Sequence, residues 1–352
     1  MLELINLHKS YRAFRVEEIN LRVNRGDYFV ILGRSGAGKT LLLEMAAGIR
    51  NPDQGSILLE GKDITSSRPQ ARDVGLVFQD QAIFPHLTVA GNIAYPLKRR
   101  KYKRKEIRKR VRELADTTGL TALLDRYPPT LSGGEIQRTV LARTLAREPR
   151  VLLLDEPLSS LDVQYKRELQ SLLRHLNQQG QTIVHVTHNY EEAMALANRV
   201  AVIDQGRIRQ QGEIHDVFRN PSNSFIAEFV GIRNFFRAHV EAWPGKEHCR
   251  ARVNDGVVFA LPAGSPEGDV VITLEARSVI LSKNKPESSA LNNFQGTVTD
   301  VVPTGQGLEV VVDIGVDLAA LITRESLEKL NIHAGSQLWI SFKATALSLA
   351  RY

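Results

Sequence analysis

Two hydrophobic textures divide the chain. In its first two thirds, short apolar runs recur: Tyr28-Phe29-Val30-Ile31-Leu32, Val74-Gly75-Leu76-Val77, Val151-Leu152-Leu153-Leu154 and Thr182-Ile183-Val184-His185-Val186. Such runs predict strands, the third of them a buried strand of parallel type. Between them the period is helical. Ile136, Val140, Leu141, Thr144 and Leu145 fall on one face of a segment opening at Leu131-Ser132-Gly133-Gly134, and residues 88–127 read as a helical block closed by Pro128-Pro129. Near the N-terminus, Leu2 and Leu4, then Ile19, Leu21 and Val23, alternate with polar neighbours and predict two short strands. Asp53–Gly61 reads as turn, strand and turn. From about Phe235 the helical period gives way to short β-rich segments separated by Gly, Pro, Asn and Asp. The pattern predicts an α/β domain over 1–231, with a helical subdomain over about 85–148, and an all-β domain over 232–352.

The second texture repeats itself. Leu274–Leu281 matches Phe342–Leu349 in pattern, and Asn234-Phe235-Phe236 echoes Asn292-Asn293-Phe294. Two small barrel halves of the oligomer-binding type fit this spacing.

Composition narrows the class. At 352 residues the chain suits two or three domains, and 43 % hydrophobic with 24 % charged residues is ordinary for a globular protein. No apolar run approaches the roughly 20 residues that span a bilayer, and Met1–Asn6 lacks the regions of a signal peptide. Cys249 stands alone, so no internal disulfide forms. These features place the expected compartment in the cytoplasm. The net charge of +7 has one source: Lys98–Arg112 holds eleven Lys/Arg and one Glu, leaving the rest of the chain slightly acidic. Read as one basic helix, it offers a solvated face or a contact for anionic lipid or acidic protein loops. With Tyr102 its only aromatic residue, it lacks the stacking platform of a nucleic-acid binder.

The chemistry concentrates at strand ends. Gly33-Arg34-Ser35-Gly36-Ala37-Gly38-Lys39-Thr40 lies between the apolar run 28–32 and a helix-forming segment from Leu41. That context reads as a phosphate-binding loop: the glycines let backbone N–H groups turn onto a phosphate, Lys39 reaches the β- and γ-phosphates, and Thr40 ligates Mg²⁺. The run 151–154 ends in Asp155-Glu156, which beside such a loop would hold Mg²⁺ and polarise an attacking water, respectively. The run 182–187 ends in His188, within reach of a γ-phosphate, and the strand at 74–77 leads to Gln79. Tyr11, upstream, offers a flat face to adenine. Ser132, Gly133, Gly134 and Glu135 open a second helix with glycines, a second phosphate-facing terminus about a hundred residues away.

Together these residues resemble the nucleotide-binding subunit of an ATP-binding-cassette importer. The resemblance covers residues 1 to about 230. It assigns Tyr11 to the adenine-stacking position, Gly33–Thr40 with Leu41 to the phosphate loop, and Gln79 to the loop that touches Mg²⁺. Leu131–Glu135 is similar to the family signature, Asp155-Glu156 to the acidic pair, Ser160-Leu161-Asp162 to the loop after it, and His188 to the switch histidine. It implies ATP and Mg²⁺ as cofactors, Thr40, Gln79 and Asp155 as metal contacts, and Glu156, His188 and Gln79 as catalytic residues. It also implies a homodimer whose two ATP sites each use Ser132, Gly133, Gly134 and Glu135 of the other copy, together with transmembrane permease subunits, an extracytoplasmic binding protein, and a place on the cytoplasmic face of a prokaryotic membrane. Glu135 stands where glutamine is commoner, and Asn189 where aspartate usually follows the histidine. Asn293–Leu349 resembles the oxyanion-binding domain of molybdenum-pterin type. That likeness implies molybdate or tungstate as a regulatory ligand, in an oxyanion half over about 290–352 with Asn292, Thr323, Ser326, Lys343 and Ala344 at the site, and trans-inhibition of transport. Other cargoes (sulfate, ferric iron, polyamine or sugar) and a soluble nucleic-acid-associated ATPase are the competing readings.

Overall fold

The computed structural model describes residues 1–351 apart from 81, 100, 101, 160, 220, 230, 246 and 255, and apart from the side chains of 99, 224, 228 and 351. The chain forms two compact units, Met1–Ile214 and His215–Tyr352.

In the first unit, β1 (Leu2–Ser10) and β2 (Arg15–Val23) pair antiparallel. Each has nine residues, longer than the short strands that the alternation predicts, because the alternation continues through polar positions on the exposed face. β3 (Tyr28–Leu32) leads through the glycine-rich turn into α1 (Lys39–Ala47). β4 (Gln54–Leu59) and β5 (Lys62–Asp63) complete a sheet of order β2-β1-β4-β5. β6 (Val74–Val77) precedes α2 (Val89–Arg99), α3 (Arg104–Thr117) and α4 (Gly133–Leu145). β7 (Val151–Asp155), α5 (Val163–Gln178), β8 (Thr182–Thr187), α6 (Tyr190–Leu196), β9 (Arg199–Asp204) and β10 (Arg207–Glu213) follow.

The second sheet has the order β10-β9-β3-β8-β7-β6, parallel except for the edge strand β10. Every residue of β3, β7 and β8 is buried, as continuous apolar runs require of strands covered on both faces. β3, β8, β7 and β6 are successive neighbours, so the residues just beyond their carboxyl ends share one edge of the sheet. Ligands bind there in open α/β sheets.

The expected helical block over 88–127 is two helices, not one. Tyr102 and Lys103 lie outside both, and the Lys103 N–H donates to Glu106 Oε2 at 2.8 Å, a capping interaction that starts α3 afresh. The basic run is therefore split between the end of α2 and the start of α3; its residues 100 and 101 lie outside the described residues.

α7 (Ile214–Arg219) starts at the last residue of the first unit, and α8 (Ser224–Phe229) lies in the second. Its first β half comprises β11 (Asn234–Ala242), β12 (Cys249–Arg252), β13 (Val258–Leu261), β14 (Gly268–Leu274) and β15 (Ile280–Ser282). The second half comprises β16 (Asn292–Thr304), β17 (Gly307–Asp313), β18 (Asp317–Ile322), α9 (Arg324–Leu330), β19 (Gln337–Phe342) and β20 (Leu347–Arg351). The two sheets run β13-β12-β11-β14-β20 and β15-β19-β16-β17-β18, all antiparallel. Each half thus lends its last strand to the other. The matched segments 274–281 and 342–349 each end a strand, make a short 3₁₀ turn and cross over.

The halves are tied twice more, symmetrically. Buried Asn234 exchanges two hydrogen bonds with the backbone of Ala319, at 2.8 and 2.6 Å. Buried Asn292 does the same with Ala260, at 3.0 and 2.7 Å. Phe259 packs edge-on against Phe236, Phe294 and Phe342 in a core both halves share.

Candidate functional site

The phosphate-type loop is built by conformation first. Gly38 precedes α1 with φ 102°, and a β-carbon there would lie 2.9 Å from the Phe14 ring. Only glycine meets both constraints. Lys39 is the first residue of α1, with its side chain inside the loop: Nζ donates to Gly33 O at 2.8 Å and Arg34 O at 3.0 Å. It lies 3.9 Å from Glu156 Oε1. Burial pushes the Lys39 ammonium down, with Glu156 and Asp155 pulling the other way.

Across the loop, Thr40 Oγ1 donates to Asp155 Oδ1 at 3.1 Å. Asp155 is 3 % exposed, and burial raises its carboxyl above the usual range despite the Thr40 bond. A buried carboxylate beside a hydroxyl is a pair of hard oxygen donors short of positive charge, which fits Mg²⁺. The cation takes few protein ligands when a phosphate supplies others. Gln79 is exposed and lines the same cleft as Thr40 and Glu156.

Glu156 follows the end of β7 with φ 44°, a left-handed conformation costly for a β-carbon-bearing residue. Its N–H donates to Val186 O at 2.9 Å. The turn brings its carboxylate 3.1 Å from His188 Nδ1, beyond the end of β8. Lys39, Thr40, Glu156 and Gln79 share a cleft of about 720 Å³ with Tyr11, Phe14, Ser35, Gly36, Gly38, Leu41, Glu44 and Arg50. Tyr11 is exposed, with Arg50 and Lys9 each 5.9 Å from its ring centroid. Ser35, Gly36 and Tyr11 also line an adjoining cleft of about 1110 Å³, with Arg34 and Ala37.

The second glycine-bearing helix does not line the 720 Å³ cleft. Ser132 caps α4: Ser132 N–H donates to Glu135 Oε2 at 2.7 Å, and Glu135 N–H to Ser132 Oγ at 3.3 Å. Glutamate at 135 therefore closes a capping box. A β-carbon on Gly134 would lie 2.8 Å from the Tyr165 ring, so glycine there serves packing; on Gly133 it would meet nothing within 4 Å. Asp162 caps α5 by accepting Tyr165 N–H at 3.2 Å. Ser160 lies outside the described residues.

Several residues were not legible as functional. Phe14 packs on Gly38 with no motif to announce it. Arg72, fully buried, donates to Met45 O and Ala46 O at the carboxyl end of α1 and to Thr65 O and Ser67 O. Asn189 caps α6, its side chain accepting the Glu192 N–H at 3.1 Å. The pair Asn189 and Glu192, three apart before a helix, was the available signal.

In the second unit, Thr323 caps α9 and its hydroxyl lies 3.0 Å from that of Ser326. Lys343 is exposed beyond β19, a strand separated from β18 by β16 and β17 in the sheet order, and Ala344 is buried beside it. Asn292 does not stand free for a ligand as expected. Its amide is buried and bonded at both ends to Ala260.

Residues 16–159 match the ABC transporter family, and residues 288–349 match the TOBE domain. The chain is 41 % identical to the molybdate/tungstate import ATP-binding protein WtpC of Pyrococcus abyssi, over 99 % of this chain and 100 % of that protein. It is 39 % identical to the spermidine/putrescine import ATP-binding protein PotA of Nitrosospira multiformis, over 92 % and 90 %. Among solved structures, it is similar to the ATP-binding cassette MJ0796, a dimer in a post-hydrolysis state with ADP and Pi, at 28 % identity and a TM-score of 0.55, over 61 % of this chain and 99 % of that one. With its phosphate loop, acidic pair and histidine at one sheet edge and a TOBE domain over residues 288–349, the chain belongs to the ABC transporter family, among the import ATPases.

Proposed function

We propose that this chain powers import of molybdate or tungstate, hydrolysing ATP in pairs and sensing the imported oxyanion through its C-terminal unit. The observation that carries the cargo is end-to-end likeness: two molybdate/tungstate relatives align over 99 % and 100 % of their length and a third over 91 %, whereas the polyamine relatives align over 86–90 % of theirs. Polyamine import is the second reading, favoured by identities only one to two points lower.

In the proposed chemistry, Lys39 exchanges its carbonyl partners for the β- and γ-phosphates. Thr40 and Asp155, with Gln79 nearby, hold Mg²⁺, which neutralises phosphate charge when bound. Glu156 takes the proton of the attacking water, and His188, hydrogen-bonded to it, orients toward the γ-phosphate. Tyr11 stacks on adenine once Arg50 yields the ring. Ser132, Gly133, Gly134 and Glu135 face the phosphates of a second copy; the open space at Gly133 leaves room for that approach. A groove of about 500 Å³ between β6, α2 and α4, where Arg143 lies 4.8 Å from the Phe84 ring, offers a permease helix its seat at the cytoplasmic face of the membrane. An extracytoplasmic binding protein would deliver the ion to that permease.

For the sensor, a dianion needs hydroxyls and a cation; because two strands separate Lys343 from Thr323 and Ser326 in the sheet order, the ion binds between paired C-terminal units, with Thr323 and Ser326 of one copy and Lys343 of the other. The test is ATP hydrolysis by the assembled importer against rising molybdate, tungstate or spermidine. Inhibition by the oxyanions alone is expected, with Lys343→Ala shifting the inhibitory concentration about tenfold upward, the loss of about 1.4 kcal/mol. A response to spermidine alone would favour the second reading.

A further inference from the structure

The segment carrying His188 is tied on both sides of the histidine. Thr187, the last residue of β8, accepts the Asn189 N–H at 3.0 Å and donates its hydroxyl proton to Glu192 Oε2 at 2.7 Å. Asn189 in turn accepts the Glu192 N–H. These bonds form a closed ring with His188 at its outer corner. Glu192 is 6 % exposed, and its second oxygen lies 3.8 Å from Lys166 Nζ on α5, the helix that Asp162 caps.

Beneath Glu192 sits a wholly buried pair. Tyr28 Oη and His185 Nδ1 are 3.0 Å apart, and His185 Nε2, without a hydrogen-bond partner among the described residues, points within 3.8 Å of Glu192 Oε2. Burial raises the Glu192 carboxyl, with Thr187 and Lys166 opposing it. A buried carboxylate is costly, and here it is held by the Thr187 hydroxyl on one oxygen and by Lys166 beside the other.

We infer that Thr187 and Glu192 are positioning residues for His188, holding its imidazole against Glu156 and coupling its segment to α5 through Lys166. The inference rests on the reading of His188 and Glu156 as the pair at the γ-phosphate. Geometry of this kind acts on turnover rather than on ground-state affinity, because an ångström of misplacement at a reacting group costs far more in the transition state.

The test uses the full chain in the assembled importer. Thr187→Val keeps the β-branched shape and removes the hydroxyl, whereas Thr187→Ser retains it. Thr187→Val should lower kcat about ten- to a hundredfold with KM for ATP within about twofold, and Thr187→Ser should restore it. Glu192→Ala should behave like Thr187→Val, and Glu192→Gln, whose amide oxygen still accepts the Thr187 proton, should retain most activity. Amide exchange of Asn189 should quicken in Thr187→Val while β3 and β7 stay protected. Adding Thr187→Val to His188→Ala should cost no more than about twofold further. Full turnover in both Thr187→Val and Glu192→Ala, beside an impaired His188→Ala, would overturn the inference alone. The same would follow from an equal, independent loss in the His188→Ala background. Full turnover in His188→Ala itself would overturn the underlying reading and this inference with it.

Discussion

Both units bury polar side chains, to opposite purposes. In the first unit, Lys39 and Asp155 are buried at the phosphate loop with partners that a ligand could replace or add to. Lys39 bonds two loop carbonyls that phosphates could replace, Asp155 has one hydroxyl, and Glu156 holds a strained φ. In the second unit, Asn234 and Asn292 are as deeply buried, and each is matched donor to acceptor with one backbone residue of the opposite half. A saturated polar group holds a fold together, and an undersupplied one is ready for a ligand. Residue type alone does not separate them.

The largest way to break the contrast is Glu156→Gln. Turnover by the assembled importer should fall about 10²–10⁴-fold, as for a lost general base, while ATP binding measured by equilibrium dialysis persists. Near-normal hydrolysis would remove Glu156 from the chemistry.

Next comes Asn292→Ala, which leaves Ala260 N–H and C=O unpaired. Denaturant unfolding should show a loss of about 1–3 kcal/mol for each orphaned group, with ATP turnover in the first unit unchanged. If the variant instead unfolds normally and loses molybdate affinity, Asn292 is a ligand and the clamp is incidental.

The smallest effect sharpens the contrast within the first unit. Complete burial pushes the His185 imidazole down to about 3, from an ordinary 6.5. Between those values the unfolded chain carries a proton that the folded chain refuses. Stability is therefore full above pH 6.5 and falls as pH drops toward 3, by up to about 1.4 kcal/mol per pH unit from this group. Equilibrium unfolding at pH 7.5 and 5.5 should show a smaller acid loss in His185→Gln than in the parent chain. An identical loss would mean that His185 is already protonated in the fold.

The nucleotide site was largely legible because its parts are contiguous. A glycine-rich turn after an apolar run, or a carboxylate pair closing one, keeps chain order and chemistry within a few residues, and the parallel sheet then sets β6, β7, β8 and β3 side by side. The repeat in the last third was legible for a similar reason, since each half carries its own core pattern. What the sequence could not decide depended on partners distant in the chain. Asn292 reads as a ligand until Ala260, thirty-two residues away, takes both ends of its amide. The basic run reads as one helix until the Lys103 N–H meets Glu106 and starts a second. Thr187 reads only as the end of a strand, and no motif marks Glu192 as its partner, until burial brings them to 2.7 Å. Local pattern determines which elements form and where reactive groups may emerge. Saturation of each buried polar group is settled only by packing, because the cost of an unpaired group exists only once water has been excluded around it.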